Sequence, residues 1–249
     1  MIQFNPLSIN AQDISNQGIL SAAATGLSDF ILQKGADVDR IFGISGINPE
    51  LLLSPTLSLQ LTNYCEVLEQ SAKLSHCDNF GLHYGQQFHP KALGLIGYIG
   101  LCSASLEDAL KNMTSHFNLH QKDTLCRMVE VNDAYRFDYQ VQHGAILSRR
   151  QDAELTVGMF MNVIREVLGT HYSPREIHFE HPRPEFWQEH SKLFNASVFF
   201  DQPFNSILIA KSDLKTAMPQ SDPLLLTMML DTLKILNTQS QSQSLTNQV

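Results

Sequence analysis

Length, composition and charge limit the classes to which this chain can belong. Its 249 residues include 17 Lys and Arg against 25 Asp and Glu, which gives a formal net charge of −8. A chain of this length can bury a full hydrophobic core, so disorder is excluded as a description of the whole molecule. The acidic balance argues against a large cationic surface that holds a nucleic-acid backbone without help.

Cysteine spacing and hydropathy predict a cytoplasmic protein without a membrane span. The cysteines form no CxxC pair, which is typical of reduced thiols rather than of a disulfide framework or a zinc clip; they are Cys65, Cys77, Cys102 and Cys126. Residues 1–10 lack the basic start and apolar stretch of a signal peptide. The longest uncharged apolar segment, residues 92–106, contains three glycines and is shorter than the ~20 residues of a membrane helix.

Apolar periodicity predicts that the first half is mainly helical. Apolar residues recur at three- and four-residue spacing over residues 19–32 and 59–74, and Ser58 is a candidate N-cap for the second helix. Residues 80–101 are rich in glycine and aromatic side chains, which favours close backbone approach without fixing a secondary structure. Ser105 followed by Asp108 forms a capping-box pattern that predicts a helix to about His120.

The second half mixes strands and helices. Alternating residues predict a hairpin of strands 125–131 and 135–141 around Asn132-Asp133, and three more strands are expected over 176–180, 197–200 and 207–210. The clearest helix covers residues 151–168 and ends at Gly169, and a further helix is predicted over 184–194. The fold class is therefore α+β, with a helical N-terminal half followed by a small antiparallel or mixed sheet with packed helices.

The C-terminal part changes character. A last helix over residues 223–236 is apolar nearly all round, so it should be buried by the domain or by a second subunit. Residues 237–249 are polar and uncharged, which is the composition of a linker, although an ordinary flexible terminus has the same composition. The sequence thus predicts a domain over 1–236 and a linker over 237–249.

No recognised catalytic or cofactor motif is present. There is no GxSxG elbow, no Walker loop and no GxGxxG after a strand, so neither a catalytic residue nor a cofactor is predicted. His116 and His120 lie four residues apart on one predicted helix, which is the spacing of two metal ligands. They lack the glutamate of an HExxH motif, and packed or pocket-lining histidines are the commoner explanation, so no metal site is predicted.

One charged cluster requires compensation. Arg149 and Arg150 fall at the start of the helix over residues 151–168, where the helix dipole disfavours cations. Arg150 and Glu154 share a helix face with apolar residues, and they either pair with each other or receive a polar ligand in an apolar cavity. Replacement of Arg150 by Ala separates the two cases, since a simple loss of stability removes the pocket interpretation.

A series of segments resembles one family. In chain order they are NFGLHYG (79–85), LGLIGY (93–98), SASLEDAL (103–110), YSPREIHFEHPRP (172–184), VFFD (198–201) with Asn205, and SDPLL (221–225). This ordered series is similar to the N-terminal effector domain of AraC-type transcriptional regulators. The branch it resembles is called the arabinose-binding domain and is not the cupin barrel of the arabinose regulator itself.

The resemblance implies a bacterial sensor that binds a small effector of unknown class, dimerises, and signals to a C-terminal pair of helix-turn-helix motifs. This sequence ends in the polar segment, so we expect promoter DNA to be bound only through an absent C-terminal domain. The candidate ligand-binding residues were chosen because they are polar or aromatic beside apolar stripes: Tyr84, Tyr98, His116, His120, Arg150 and Glu154. Two alternatives stay open, a metal-dependent enzyme using His116 and His120, and a structural interaction module that binds no ligand.

Overall fold

The N-terminal half of the protein is built from short helices. The computed structural model describes residues 18–246, with side chains as far as Lys234. The helices of this half are α1 (Leu27–Gln33), α2 (Val38–Ser45), α3 (Leu61–Leu74), α4 (Phe80–Gln87), α5 (Leu95–Cys102) and α6 (Leu106–His116). This half also contains four 3₁₀-helices, one before α1 and the others between or after the α-helices, at Ser21–Ala24, Pro49–Leu53, Pro90–Leu93 and Phe117–Leu119.

A two-stranded antiparallel sheet shortens the first two predicted helices. Strand β1 (Gly18–Leu20) pairs with β2 (Ser58–Gln60) across about forty residues of chain. Ser58 therefore lies in a strand, where its hydroxyl donates to the carbonyl of Ile19 at 3.3 Å, and it does not cap α3. This pairing is a tertiary contact, and helical periodicity in one segment cannot reveal it.

The second half carries the main sheet. Its strands are β3 (Thr124–Val131), β4 (Ala134–Val141), β5 (Glu176–His178), β6 (Ser197–Phe199) and β7 (Asn205–Ala210). They are arranged in the order β3-β4-β7-β5-β6, antiparallel except for the parallel pair β5 and β6. Its helices are α7 (Arg150–Leu168), α8 (Gln188–Phe194), α9 (Lys211–Leu214) and α10 (Pro223–Thr246). These elements confirm the α+β class.

Helix α7 connects the two halves. On one side the ring of Phe160 packs against Phe137 of β4, with 4.1 Å between ring centroids. On another side, α7 crosses α4 at backbone contact distance, because Gly85 lies against Gly158 and a Cβ atom at Gly81 would meet the carbonyl oxygen of Gln151. The glycines of residues 80–101 thus serve the close backbone approach that the sequence predicts.

Helix α10 extends further than predicted. It continues to Thr246, ten residues beyond the expected end at Leu236, so part of the predicted linker is helical. Met229 and Leu233 are buried against the domain, whereas Leu224 and Met228 are 73% and 59% exposed. The division into a domain over 1–236 and a linker over 237–249 stays a prediction, and residues 1–17 and 247–249 lie outside the described residues.

None of the helices in the described part of the chain is both long enough and apolar enough to cross a membrane.

Candidate functional site

A small cavity lined by buried residues lies where α7 meets the N-terminal half. Its apolar wall is formed by Ile19, Ala23, Phe88, Leu93, Phe117, Leu155 and Met159. Its polar groups belong to Tyr64, His120, Gln121, Asp152 and Thr156. The free volume for the centre of a water molecule is about 10 Å³, which holds about one water. The interior is therefore almost filled.

His120 presents an unsatisfied polar atom in this cavity. The backbone around it is fixed, since its N–H donates to the carbonyl of Phe117 at 2.9 Å and its carbonyl accepts from Leu20 at 2.8 Å. The imidazole is buried against the Phe117 ring, and its Nδ1 atom has no hydrogen-bond partner. Burial lowers the pKa of His120 to about 4, so the ring is neutral at pH 7.

Asp152 supplies the cavity's carboxylate, and two side chains hold it in place. The hydroxyl of Tyr139 donates to Oδ2 of Asp152 at 2.5 Å, and Nε2 of Gln121 donates to the same hydroxyl at 2.7 Å. Burial raises the pKa of Asp152 to about 7, although the bond from Tyr139 acts in the opposite direction. The cavity thus contains a neutral imidazole and a carboxyl group that titrates near neutral pH.

Two 3₁₀-helices separate this cavity from an open groove on the surface. Ala23 and Leu93 face the cavity, whereas Ala24 and Ala92, one residue away in each helix, line the groove. The groove has a volume of about 510 Å³ and includes Tyr98, which is 41% exposed. Ser21–Ala24 and Pro90–Leu93 therefore form the wall between the groove and the cavity.

Tyr84 lies beside a smaller groove of about 300 Å³ on the same side of the molecule. Its hydroxyl donates to the carbonyl of Thr25 at 2.8 Å, and its ring stacks on Phe30. Thr25 lines both grooves, and its own hydroxyl donates to the carbonyl of Ala22 at 2.7 Å. Tyr84 thus anchors the segment that follows the first 3₁₀-helix, rather than contacting the cavity.

Arg150 and Glu154 belong to a separate buried cluster. Nε of Arg150 donates to Oε1 of the fully buried Glu154 at 2.8 Å, and Nε2 of His190 lies 2.8 Å from the same oxygen. Nε2 of His181 lies 3.4 Å from it without forming a hydrogen bond, and Arg150 also donates to Asn79 Oδ1 at 2.5 Å. Burial alone would raise the pKa of Glu154, but the bond and charge of His190 and the charge of Arg150 outweigh it and lower that pKa.

The cations at the start of α7 are compensated as the sequence requires. Arg149 makes a two-pronged contact with Glu180, with nitrogen to oxygen distances of 2.7 and 3.1 Å. Glu69 of α3 accepts the backbone N–H of Gln151 at 3.0 Å, which places an acidic group at the positive end of the helix dipole. The pairing of Arg150 with Glu154 at i, i+4 is one of the two alternatives that the sequence leaves open.

The six candidate residues are therefore distributed over several places. His120 lines the cavity, Tyr84 and Tyr98 line the neighbouring grooves, and Arg150 and Glu154 pair with each other. His116 lies in the last turn of α6, where Nδ1 is 2.8 Å from the carbonyl oxygen of Asn112, and it does not line the cavity. Residues 18–234 contain no group of three or more His, Cys, Asp or Glu placed to hold a metal ion.

Sequence reasoning did not single out Asp152, Tyr139, Gln121 or Tyr64. Asp152 is followed at helical spacing by the cavity residues Leu155, Thr156 and Met159. Periodicity cannot identify the face of α7 that lines the cavity, since α7 is buried on nearly all sides over its first 12 residues. Asp152 is the acidic residue in the first turn of α7, but Glu154 follows two residues later, so the sequence did not distinguish the cavity's carboxylate.

Comparison with known proteins identifies the family to which this fold belongs. Residues 35–218 match the family described as the arabinose-binding domain of AraC transcription regulators, N-terminal. The chain belongs to this family.

Two relatives from Pseudomonas aeruginosa define the similarity further. The ornithine utilization regulator is 20% identical over 213 residues, which cover 81% of this chain and 60% of that protein. The crystal structure of the transcriptional regulator CdpR superposes with a TM-score of 0.58 at 14% identity, over 81% of this chain and 61% of that chain. The CdpR likeness shows a shared fold, and the chain spans about three fifths of the length of both proteins.

Proposed function

We propose that this regulatory domain binds a small-molecule effector in the small cavity beside α7 and has no catalytic activity. The observation that carries the proposal is the unpartnered Nδ1 atom of His120, which is buried in a cavity that also contains Asp152. A buried polar atom without a partner costs about 1–3 kcal/mol, and a ligand that supplies the partner recovers that free energy. Binding pockets also combine many apolar groups with a few polar ones, as this cavity does.

Effector binding requires the cavity to expand. Space for about one water does not accommodate a metabolite, so the side chains that line the cavity must move apart to admit one. Met159 is a flexible side chain that can repack. The 3₁₀-helix Pro90–Leu93 is followed by Gly94, whose φ of 60° lies in a backbone region that favours glycine. An effector that binds only the expanded state shifts the population toward it.

The second part of the proposal concerns how effector binding is passed to a DNA-binding domain. In the parent regulator, the effector-bound state would be passed through α10 to a C-terminal helix-turn-helix domain that reads a promoter. The formal charge of −8 on these 249 residues supports assigning DNA binding to another part of the protein. One relative is named for the utilization of ornithine, and we propose an effector of comparable size for this chain. A cytoplasmic location fits this role.

We also propose that the domain forms a homodimer through the outer face of α10. Leu224 and Met228 lie one helical turn apart and are exposed, while Met229 and Leu233 hold the opposite face on the domain. Exposed apolar side chains that repeat on one helix face are typical of an interaction surface.

A thermal-shift screen tests effector binding. Amino acids, amines, sugars, fatty acids and aromatic compounds are each added to the wild type, to His120→Gln and to His116→Gln. A ligand that binds the native state raises the melting temperature, by an amount equivalent to about 2.7 kcal/mol at a hundredfold excess over Kd. We expect at least one class to stabilise the wild type and His116→Gln, with a smaller effect on His120→Gln.

Two outcomes would support the alternatives instead. If no class of compound raises the melting temperature, the domain is a structural interaction module with a filled core. If elemental analysis of the purified protein finds a stoichiometric transition metal, the metal-dependent enzyme using His116 and His120 returns as an explanation.

A further inference from the structure

We propose that the cavity selects a small organic cation, namely a primary amine whose ammonium group is bound between Asp152 and His120. This inference rests on the proposed function, because it names the chemical class of the effector for the same site. It follows from the charges that line the cavity, from the hydrogen bonds already in use, and from the chemistry of the unpartnered imidazole.

The charges that line the cavity favour a cation. Of its twelve lining residues, all of them described, Asp152 is the carboxylate and none is Lys or Arg. A bound carboxylate or phosphate would lie beside Asp152 without a counter-ion in contact, which is costly in a buried site. An ammonium group would instead form a charge-assisted hydrogen bond with the carboxylate.

The existing hydrogen bonds position Asp152 to accept a hydrogen bond from a ligand. The Tyr139 hydroxyl donates to Oδ2 of Asp152, and its oxygen already accepts from Gln121. Nε2 of Gln121 is also 3.0 Å from Oγ1 of Thr124, so this amide nitrogen is engaged twice within the protein. Gln121 and Tyr139 therefore position the carboxylate and are not free to donate to a ligand.

His120 supplies a second acceptor. A neutral imidazole accepts through one ring nitrogen and donates through the other, and the unpartnered Nδ1 accepts in the tautomer that carries its proton on Nε2. An ammonium group has three N–H donors, which can bond to Asp152, to Nδ1 of His120 and to the hydroxyl of Thr156 at the cavity wall.

The rest of the wall limits the body of the ligand. Phe88, Leu93 and Met159 are among seven apolar lining residues, so an unbranched alkyl or an aromatic group fits this environment. A sugar would bury several hydroxyl groups against carbon atoms, and each unpaired hydroxyl costs free energy.

Amine binding should release protons from the protein near neutral pH. The ammonium stays charged, whereas Asp152, with a pKa of about 7, must ionise to pair with it. The titratable and charged groups that act on Asp152 from the surrounding elements are Tyr64, Cys65 and Glu69 of α3, Tyr139 of β4, Arg149 before α7 and Glu180 after β5. The pKa values of Tyr64, Cys65 and Tyr139 are raised well above their ordinary values, mainly by burial, so these groups keep their protons at pH 7 and the released proton is assigned to Asp152.

The experiment compares probes that differ only in charge. Propylamine, butylamine and benzylamine are titrated into the purified 249-residue chain by isothermal calorimetry at pH 7, each beside the alcohol and the carboxylate of the same size. We expect at least one amine to bind about tenfold or more tightly than its two matched probes, as a charged hydrogen bond provides. Measurement in two buffers of different ionisation enthalpy should show release of about half a proton.

Two variants test whether amine binding and proton release depend on Asp152. Asp152→Asn should weaken amine binding about tenfold and abolish proton release. Asp138→Asn, at another fully buried carboxylate that does not line the cavity, should leave amine affinity and proton release unchanged. If either variant fails to fold, the proton release of the wild type still decides the question.

The outcomes separate this inference from the proposed function. If matched alcohols or carboxylates bind as tightly as the amines, or if amine binding releases no proton, selection of a cation is wrong while effector sensing stands. If only compounds of other classes bind in the thermal-shift screen, the same conclusion follows. If nothing binds in either experiment, both proposals fail.

Discussion

The backbone N–H of Gly81 donates a hydrogen bond to Oε1 of Gln151 at 2.6 Å, and a Cβ atom at Gly81 would lie 2.0 Å from the carbonyl oxygen of Gln151. The side-chain nitrogen Nε2 of Gln151 also donates to the backbone carbonyl of Asp78 at 2.9 Å. One glutamine therefore fixes the start of α4 on the first turn of α7. Since Asp152 follows Gln151 directly, this contact also sets the position of the cavity's carboxylate.

We predict that Gly81→Ala destabilises the protein strongly. The added methyl group would overlap a backbone carbonyl in the α7 helix, and backbone cannot move aside as a flexible side chain can. Overpacking of this kind costs typically about 1–3 kcal/mol, and the loss of the bond to Gln151 adds to it. Urea denaturation should show a midpoint well below that of the wild type.

Gly43→Ala is the matched control for this prediction. Gly43 also lies within a helix, but a Cβ atom there meets nothing within 4 Å. Alanine is preferred over glycine in a helix interior by about 1 kcal/mol, so this variant should be as stable as the wild type or slightly more stable. Equal destabilisation by both changes would show that α4 and α7 are not held at backbone contact.

Local signals in the sequence predicted much of the fold. The hydroxyl of Ser105 accepts the N–H of Asp108 at 3.1 Å, as the capping box requires, and the hairpin of β3 and β4 turns at Asn132 and Asp133. Both features depend on residues close together in the chain. The pairing of β1 with β2 depends on residues about forty positions apart, so propensity and periodicity in either segment could not predict it.

We predict opposite pH dependences for Asp152 and His120. The folded-state pKa of Asp152 is raised to about 7, so the folded protein binds this proton more tightly than the unfolded chain does. The contribution of Asp152 to stability therefore falls as the pH rises from about 4 to about 7. The free energy of unfolding of Asp152→Asn should rise relative to the wild type over that range.

His120 acts in the other direction. Its folded-state pKa is lowered to about 4, so its contribution to stability falls as the pH decreases from 6.5 toward 4. Each effect is on the order of a few kcal/mol at most, and they oppose each other between pH ~4 and ~6.5 in the wild type. The free energy of unfolding of His120→Gln, measured by denaturation across this range, should rise relative to that of the wild type at low pH. Parallel profiles for wild type and both variants would contradict the assignment of these groups.

The candidate site was less predictable than the fold. The sequence indicated that Arg150 and Glu154 need compensation, but their other partners, Asn79 and His190, lie far away in the chain. The cavity itself depends on how α7 packs against several segments, and no segment alone contains that information. His120 was selected because it is polar beside an apolar stripe, and that criterion applied equally to His116.

We predict that Arg150→Ala lowers stability and leaves effector binding in the cavity intact. The substitution removes the ion pair and two further bonds from a cluster around the buried Glu154, whose charge then loses one of its partners. Removal of one partner of a buried pair costs about 3–5 kcal/mol, and the partial exposure of Arg150 reduces that figure. Denaturant unfolding measures the loss, and thermal shift by a stabilising compound measures retained binding.

Arg175→Ala provides the comparison for an exposed ion pair. Arg175 contacts Asp133 through two nitrogens at 2.7 Å, but both side chains are largely in solvent. Exposed pairs contribute about 0–1 kcal/mol, so this variant should unfold close to the wild type. If Arg150→Ala abolished the thermal shift while leaving the unfolding midpoint unchanged, Arg150 would be a ligand contact after all.

The outer face of α10 gives the last prediction. If Leu224 and Met228 form the centre of a homodimer contact, Met228→Glu buries a charge opposite its own copy in the symmetric partner and should shift the protein toward monomer. Sedimentation velocity at micromolar concentration measures the change.

Leu147→Glu is the control, because Leu147 is 90% exposed and lies away from α10 in the loop before α7. That variant should sediment as the wild type does, since a lone exposed leucine carries no interface. A wild type that is already monomeric at this concentration would leave the exposed face of α10 without a partner copy and would remove dimerisation from the proposed function.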